Sequence, residues 1–322
     1  MQTGKIELHV HLEGSIRPAT LLEIARRNGE TLPADSAEGL AALYTFTDFR
    51  HFLDVWRMTT NCLRTADDFR QVVVDYAREA SGHGAVYIEA IFSPAERVES
   101  HGIAWDEMYT GYAEGAVEAR ERFGVTVTFT PDLYRGCPVE LAEECAVVSA
   151  RYRDRGVVGF GIGGDERRSA LAPYATAVRI ARDGGLPFVP HAGETDGPAS
   201  VREALALGAA RVRHGFRAAE DPHLLAEIAE RGVVLDVCPT SNLRTGVVAD
   251  LSGHPLPLLR AAGVHCSVNT DDPAMFGTDL GREYELAARL GVTAEDACAA
   301  GIAGALCDDR TRMRLRRGRY GA

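Results

Sequence analysis

Lysine is almost absent from this 322-residue sequence, in which Lys5 is the only lysine and arginine supplies the other basic residues. Acidic residues outnumber basic ones by 46 to 35, and the formal net charge is −11. An acidic surface repels the phosphates of nucleic acids and the headgroups of anionic membranes. The sequence therefore predicts no nucleic-acid partner and no membrane partner, and small molecules are the expected ligands.

Paired cysteines and long apolar runs are also lacking. The seven cysteines are widely spaced and include no CxxC pair, so neither a disulfide framework nor a cysteine-based zinc site is expected. The N-terminus shows no basic segment followed by an apolar run and a cleavage site, and no apolar run reaches transmembrane length. These absences predict a soluble, cytoplasmic protein.

What the sequence does contain is a regular alternation of short apolar runs and amphipathic stretches. Helix-ending signals such as Gly208 and Gly232 close several of the amphipathic stretches. The predicted strands are Lys5–His11, Ala85–Ala90, Val125–Thr130, Val157–Ile162, Pro187–His191, Arg211–His214, Val233–Cys238 and His265–Asn269. Eight strands alternating with helices predict one α/β domain over residues 1–322, folded as a closed (β/α)₈ barrel, the TIM-barrel architecture.

The main irregularity is a helical insertion, about residues 14–80, between the first and second predicted strands. It holds several helical segments, including Pro18–Asn28, Phe46–Met58 and Asp67–Ser81. An apolar stripe at roughly helical spacing runs through the second segment: Phe46, Phe49, Phe52, Leu53 and Trp56. Such a stripe is typical of a helix packed on the barrel. The position after the first strand also suits a lid over the C-terminal mouth, where these barrels hold their sites, and both interpretations can hold together.

Polar residues gather where the predicted strands end. His9 and His11 are two positions apart on the first strand, so their side chains point to the same face. The other polar groups follow the fourth, fifth, sixth and eighth strands: Gly163-Gly164-Asp165-Glu166, His191 with Glu194, His214, and Asp271 with Asp272. Each residue alone has an ordinary explanation, such as a core histidine or a turn cap. Because the ends of all eight strands meet at one mouth, the set predicts a divalent metal site with spare groups for proton transfer.

Five motifs stand in order on those strands: HVHLEG, GGDE, HAGE, RHG and NTDDP. Together they resemble the adenosine deaminase family, over the chain from about Lys5 to the last barrel helices. The resemblance implies a (β/α)₈ barrel with one zinc ion, which hydrolytically removes the 6-amino group of an adenine ring. Its partners would be an adenine nucleoside and water. The resemblance implies zinc ligands at four positions: His9, His11, His191 and Asp271.

The same resemblance implies roles in catalysis and binding. Glu194 matches the residue that protonates N1 of the purine, and His214 matches the histidine that orients the attacking water and helps to deprotonate it. Asp272 matches the group that bonds to N7, and Gly164 matches the backbone that contacts N3. Many related two-metal hydrolases carry a bridging carboxylated lysine on the fourth strand. The only lysine here is Lys5, on the first strand, so that class is excluded.

The motifs depart from the usual family pattern near the expected 5′ end of the substrate. Glu13 stands where adenosine deaminases usually have an aspartate that bonds the ribose 5′ hydroxyl, and Gly161 replaces another common aspartate. Glu13 and Leu63-Arg64-Thr65 are similar to the adenine deaminases, whereas GGDE is similar to the nucleoside enzymes. We interpret this mixture of features as pointing to a substrate that is an adenine nucleoside with an altered 5′ end. The specific hypothesis is 6-amino-6-deoxyfutalosine, an intermediate of a bacterial menaquinone route.

The 5′ substituent of that nucleoside carries an aromatic carboxylate, which needs an apolar and partly cationic subsite. Several residues are predicted to contact the substrate there: Glu13, Phe49, Phe52, Trp56 and one of Arg17, Arg57 and Arg64. Plain adenosine and free adenine are the alternative substrates. A non-catalytic purine-binding family member and a metal-dependent phosphoesterase are the alternatives from other classes. The phosphoesterase fits neither the ligand spacing nor the acidic balance.

Overall fold

Short apolar runs form nine strands in the computed structural model, which describes residues 4–318. The strands are β1 (Lys5–His11), β2 (Ala85–Ile91), β3 (Thr126–Phe129), β4 (Asp132–Tyr134), β5 (Gly161–Gly163), β6 (His191–Ala192), β7 (Arg211–His214), β8 (Val234–Val237) and β9 (Cys266–Val268). All pairings between these strands are parallel. Parallel strands require crossover connections, and helices supply them here.

The strands close into a barrel through single bridges between three stretches of sheet. The stretches are β1-β2-β3, β4-β5 and β6-β7-β8-β9. Parallel bridges from Phe129 to Val157 and from Phe188 to both Phe160 and Ala209 join the stretches, and a bridge from Val10 to Asp271 links the first strand to the segment after the last. The predicted (β/α)₈ barrel is therefore confirmed.

The third predicted strand is longer than expected and is broken by a proline. It was expected to end at Thr130, but the chain continues past Pro131 into β4. Proline has no N–H to give to the ladder, which explains the break. Pairing resumes at once, because Asp132 N donates to Phe92 O at 2.9 Å. The extension carries Asp132 to the mouth of the barrel.

Sixteen α-helices are present among residues 4–318. They are α1 (Pro18–Asn28), α2 (Ala37–Ala42), α3 (Phe49–Thr60), α4 (Ala66–Gly82), α5 (Pro94–His101), α6 (Trp105–Phe123), α7 (Val139–Arg151), α8 (Ala175–Asp183), α9 (Pro198–Ala206), α10 (Pro222–Arg231), α11 (Pro239–Arg244), α12 (Leu256–Ala261), α13 (Pro273–Phe276), α14 (Leu280–Arg289), α15 (Ala294–Gly304) and α16 (Asp309–Arg316). None of the helices in this described range is long and apolar enough to cross a membrane.

The insertion between β1 and β2 is built from α1 to α4, and α3 covers the mouth. This helix begins at Phe49 rather than Phe46 because the Asp48 side chain caps it, accepting from His51 N at 2.9 Å. The predicted apolar stripe packs in a cluster separate from the main core: Tyr44, Phe49, Phe52, Val55, Trp56, Met275 and Phe276. Since Met275 and Phe276 follow β9, α3 lies against the C-terminal end of the barrel.

Two glycines let the last helix of the insertion, α4, pack closely on α6. A Cβ at Gly111 would overlap the backbone carbonyl of Ala66, and one at Gly115 would lie 2.8 Å from Arg70 O. Backbone atoms cannot move aside as a flexible side chain can. The insertion is therefore held to the barrel at a position where no side chain fits.

We expect Gly111→Ala to lower the free energy of unfolding by about 2 kcal/mol or more, because the added methyl forces the two helices apart. Chemical denaturation monitored by circular dichroism measures this difference. Gly82→Ala is the matched control, since a Cβ there meets nothing within 4 Å. Equal stability of the two variants would contradict the close packing.

Candidate active site

Four side chains converge at the mouth of the barrel, and we call them the ligand cluster: His9, His11, His191 and Asp271. His191 Nε2 lies 3.1 Å from His9 Nε2 and 3.2 Å from His11 Nε2. Asp271 Oδ1 lies 3.1 and 3.3 Å from the same two histidine nitrogens. Ligands about 2.0–2.1 Å from a tetrahedral zinc ion are about 3.3 Å from one another. The spacing and the N₃O donor set therefore fit a zinc ion.

The protonation of the cluster also fits a metal site. His191 Nδ1 faces two acceptors, Ile162 O at 3.1 Å and Asp132 Oδ2 at 3.2 Å, so this nitrogen carries the proton and Nε2 presents a lone pair. Burial lowers the pKa of His191 and of His9 well below the usual histidine value, which keeps both imidazoles neutral.

His11 differs from the other two histidines in its charge. Burial alone would lower its pKa, but the carboxylates of Asp272 and Asp271 outweigh burial and raise the pKa to about 9. The position between these acids thus favours a positive charge, which a divalent metal ion would supply in place of an imidazolium.

His214 lies beside the ligand cluster. Geometry alone allows two overlapping ligand groups, one of His9, His191, His214 and Asp271 and another of His11, Asp271 and Asp272. His214 Nε2, however, is 3.5 Å from Glu194 Oε2 and 3.9 Å from Asp271 Oδ2, whereas His9 and His11 contact the other oxygen, Asp271 Oδ1. His214 therefore contacts both Glu194 and the ligand cluster.

Two residues of this site have a left-handed backbone. His214 has φ 58° and Asp271 has φ 65°, and they are the only non-glycine residues with positive φ in the described range 4–318. Such a conformation costs about 1–3 kcal/mol and persists only where the surrounding structure imposes it. His214 ends β7 and Asp271 follows β9, and the left-handed conformation directs both side chains to the common mouth.

The environment of Glu194 favours the neutral form of its carboxyl group. Burial raises its pKa well above the usual carboxyl range, and the negative charges of Asp271 and Glu166 raise it further. A carboxyl group that keeps its proton at neutral pH can donate that proton to a ring nitrogen. The geometry thus suits the donor role that the sequence assigned to it.

Asp272 is held in a similar state. Burial raises its pKa well above the usual range, against the opposing effect of His11. Its Oδ1 accepts a hydrogen bond from Trp56 Nε1 at 2.9 Å. This oxygen lies so close to Gly14 that a Cβ there would overlap the Asp272 carboxyl group. The glycine of the HVHLEG motif is therefore needed for the position of Asp272.

A cleft of about 610 Å³ opens from the ligand cluster toward α3. Ten of the predicted site residues line it: His11, Phe49, Phe52, Trp56, Gly164, His191, Glu194, His214, Asp271 and Asp272. Leu53 adds to its apolar wall, and Arg57 is the candidate arginine that supplies a cation. The other two candidate arginines lie elsewhere, because Arg17 pairs with Glu79 and Arg64 with Glu30.

Glu13 does not reach the cleft wall, contrary to its predicted contact with the substrate. It lies in a short 3₁₀ turn after β1, and its side chain is buried. Oε1 accepts from Ser93 N at 2.9 Å, and Arg97 Nη2 is 4.0 Å away. One oxygen of the carboxylate is thus held by the segment after β2.

Residues 4–318 match the sequence model of the family described as adenosine deaminase. The chain belongs to the adenosine deaminase family. It is 57% identical to an aminodeoxyfutalosine deaminase of Acidothermus cellulolyticus, over 97% of this chain and 90% of that one. Among solved structures it is similar to an adenine deaminase from Arthrobacter aurescens, with TM-score 0.92, 29% identity and 98% of both chains covered. An amidohydrolase from Burkholderia ambifaria with bound Zn has TM-score 0.88 and 28% identity, covering 98% of this chain and 88% of that one.

Sequence reasoning missed three residues that hold the site of this deaminase. Asp132 contacts His191 and forms a buried ion pair with Arg213. A side chain at Gly161 would overlap that pair, which explains why no aspartate occupies this position. Ser241 Oγ donates to Asp271 Oδ2 at 2.6 Å, and no sequence signal pointed to it.

The third missed residue, Glu166, fixes the loop that carries Glu194. Its carboxylate accepts from three successive backbone N–H groups, those of Gly193 at 2.7 Å, Glu194 at 2.7 Å and Thr195 at 2.9 Å, and from Ser200 Oγ. The GGDE motif contained it, but no role was assigned to it. Its four donors make it a positioning residue for the loop that holds Glu194.

We expect Glu166→Gln to lower kcat by about 10- to 100-fold with little change in KM or zinc content. The glutamine amide would face at least one backbone donor, which costs about 1–3 kcal/mol. Steady-state kinetics and metal analysis measure these effects. Ser200→Ala is the control, because it leaves all three N–H contacts intact. A variant with normal kcat would show that the loop does not need this carboxylate.

Proposed function

We propose that this protein removes the 6-amino group of 6-amino-6-deoxyfutalosine by zinc-dependent hydrolysis. The observation that carries the proposal is the convergence of three imidazole nitrogens and one carboxylate beside the buried Glu194 carboxyl group in a cleft with an apolar wall. The identity of 57% to an aminodeoxyfutalosine deaminase supports this substrate.

The ligand cluster would hold one zinc ion. A zinc ion with an open coordination position supplies a water molecule whose pKa is lowered toward neutrality. The donor set supports this assignment, as does the Zn in the similar amidohydrolase. Ser241 and Asp132 orient the Asp271 and His191 side chains, two of the four donors.

The remaining residues move protons in a balanced sequence. Glu194 donates a proton to N1 of the purine, which makes C6 electrophilic, as the water oxygen bonds to C6. His214, with Asp271 beside it, accepts one proton of the water and passes it to the amino group. The C6–N bond then breaks and ammonia leaves, while the second proton of the water restores Glu194 and C6 becomes a carbonyl.

Recognition of the purine uses the groups around the reacting atoms. Asp272, in its protonated form, would donate a hydrogen bond to N7, and the backbone at Gly164 would contact N3. Gly164 has φ 92°, a conformation that few other residues adopt, and it lines the cleft. These contacts place C6 between Glu194 and the ligand cluster.

The far end of the cleft suits an aromatic carboxylate. Phe49, Phe52 and Leu53 of α3 form its apolar side. Arg57 donates through Nε to Glu96 Oε1 at 2.9 Å, and its two terminal nitrogens have no protein partner among residues 4–318. A guanidinium group fixed at one nitrogen and free at the other two is arranged to bind a carboxylate with two hydrogen bonds.

A panel of 6-amino-6-deoxyfutalosine, methylthioadenosine, 5′-deoxyadenosine, adenosine and adenine tests the substrate. We expect the first compound to have the highest kcat/KM, since only it fills the aromatic subsite and reaches Arg57. Equal or faster turnover of adenosine would contradict the modified nucleoside, and preference for adenine would favour the base. Tight purine binding without turnover by the zinc-loaded protein would identify a non-catalytic family member.

Arg57→Gln should lower kcat/KM for 6-amino-6-deoxyfutalosine by about tenfold or more, because a charge-assisted contact is lost. For methylthioadenosine, whose 5′ end is neutral, we expect less than about a threefold change. Arg64→Gln is the matched control, since this arginine does not line the cleft. Arg57→Gln alone leaves Glu96 without its partner, so the double variant Arg57→Gln with Glu96→Gln removes that acid as well. Equal losses of kcat/KM for both substrates in the double variant would refute the carboxylate contact.

His11→Ala and Glu194→Gln separate metal binding from proton donation. We expect His11→Ala to lose both zinc and activity, because a ligand is removed. Glu194→Gln should retain zinc and lose at least about 100-fold in kcat, because only the proton donor is missing. Metal analysis beside kinetics measures both. A fully metallated His11→Ala variant, or a Glu194→Gln variant within about tenfold of the wild type, would contradict the assigned roles.

A further inference from the structure

Glu13 and Arg97 form a buried ion pair next to the cleft. Glu13 is 2% exposed and Arg97 is 1% exposed, and their charged atoms are 4.0 Å apart. Within residues 4–318, no other carboxylate lies within 4.0 Å of the Arg97 guanidinium. A buried cation with a single counter-charge depends strongly on that charge. An aspartate at position 13 would be shorter by one methylene and would leave the pair farther apart.

Arg97 in turn contacts the C-terminal half of α3. Its guanidinium lies 5.3 Å from the centre of the Trp56 ring, within the range of a cation–π contact. Nη2 donates to Thr60 Oγ1 at 3.0 Å, and Nη1 donates to Asn61 Oδ1. Arg97 therefore joins the turn after β1 to the helix that covers the mouth.

Trp56 connects Arg97 to the site. Its indole Nε1 donates to Asp272 Oδ1, and both side chains are buried. No other hydrogen bond from the described residues reaches the Asp272 carboxyl group, so the Trp56 indole is its one fixed donor. With Oδ1 occupied by the indole N–H, Oδ2 is the oxygen left for the substrate.

We propose that Glu13 is a positioning residue that acts through Arg97 and Trp56 on Asp272, so that recognition of purine N7 depends on a residue that does not touch the substrate. The contacts form a continuous chain from the turn after β1, across α3, to the segment after β9. The proposal rests on the proposed function only in taking N7 as the atom that Asp272 binds. It also gives a physical reason for glutamate in place of aspartate at position 13.

Inhibition by two non-reacting ligands tests the chain: the 6-oxopurine nucleoside product and its 7-deaza counterpart, which lacks the N7 acceptor. Trp56→Phe removes the indole donor and keeps an aromatic ring. We expect it to weaken binding of the product by about tenfold and of the 7-deaza counterpart by less than twofold. Glu13→Gln should act in the same direction, by about three- to tenfold for the product.

Two control variants remove an indole and a carboxylate that lie outside this chain of contacts. Trp105→Phe removes the other tryptophan, whose Nε1 bonds to Glu144, and Glu30→Gln neutralises an acid that pairs with Arg64 outside the cleft. Neither should change the ratio of the two inhibition constants. In the Trp105→Phe background Trp56 is the only tryptophan, so its fluorescence reports its environment directly. We expect Glu13→Gln to shift that emission.

The outcomes separate this proposal from the proposed function. If Glu13→Gln weakens both ligands equally and leaves the Trp56 emission unchanged, the chain of contacts is refuted. If its effect follows the 5′ substituent rather than N7, Glu13 touches the substrate and the proposal is wrong. If the wild type binds both ligands equally, Asp272 does not bind N7, which overturns that part of the proposed function together with this inference, while deamination itself is unaffected.

Discussion

The site depends on the closure of the barrel, in which the first strand pairs with the segment that follows the last strand. His11 N donates to Asp271 O at 2.7 Å, and Asp271 N donates to His9 O at 3.2 Å. These two backbone bonds connect three of the four residues of the ligand cluster, and they join His9 and His11 to Asp271, which lies more than 250 positions later in the sequence. Because backbone bonds set their relative height, the side chains converge without contributions from flexible loops. The left-handed backbone at Asp271 is the local cost of this closure.

Around this closure, charge is arranged so that Asp271 and Glu194 favour opposite protonation states. Asp271 contacts His9 and His11, and in spite of burial they hold its pKa well below the usual range. Glu194 is buried among acids and keeps its proton. Pairs of acids whose environments separate their pKa values are typical of acid–base catalysts. The same neighbours therefore determine which carboxylate binds a cation and which one donates a proton.

The sequence predicted what depends on local rules. Helix α1 was placed at its observed bounds because Pro18 begins it and Gly29 ends it in the left-handed conformation. The HxH spacing and the motifs placed seven predicted site residues around one cleft, and the apolar stripe of the insertion added Phe49, Phe52 and Trp56. The direction of Glu13 could not be predicted, because it depends on the rotation of a three-residue turn and on Arg97, 84 positions away. Asp132 was missed because the third predicted strand stopped at Thr130, whereas the chain pairs again from Asp132 onward.

Helix α3 contacts two parts of the site, whereas the sequence predicted a single apolar stripe for it. Its apolar residues Phe49 and Phe52 and its cation Arg57 face the region expected to hold the 5′ substituent, whereas the neighbouring Trp56 bonds to Asp272 at the purine end. Both ends of a nucleoside would therefore be read by one rigid element. A displacement of α3 by a poorly fitting 5′ group would also disturb Asp272. A substrate with a poorly fitting 5′ group would then hold its purine in the wrong position. Such a substrate would be turned over more slowly as well as bound more weakly.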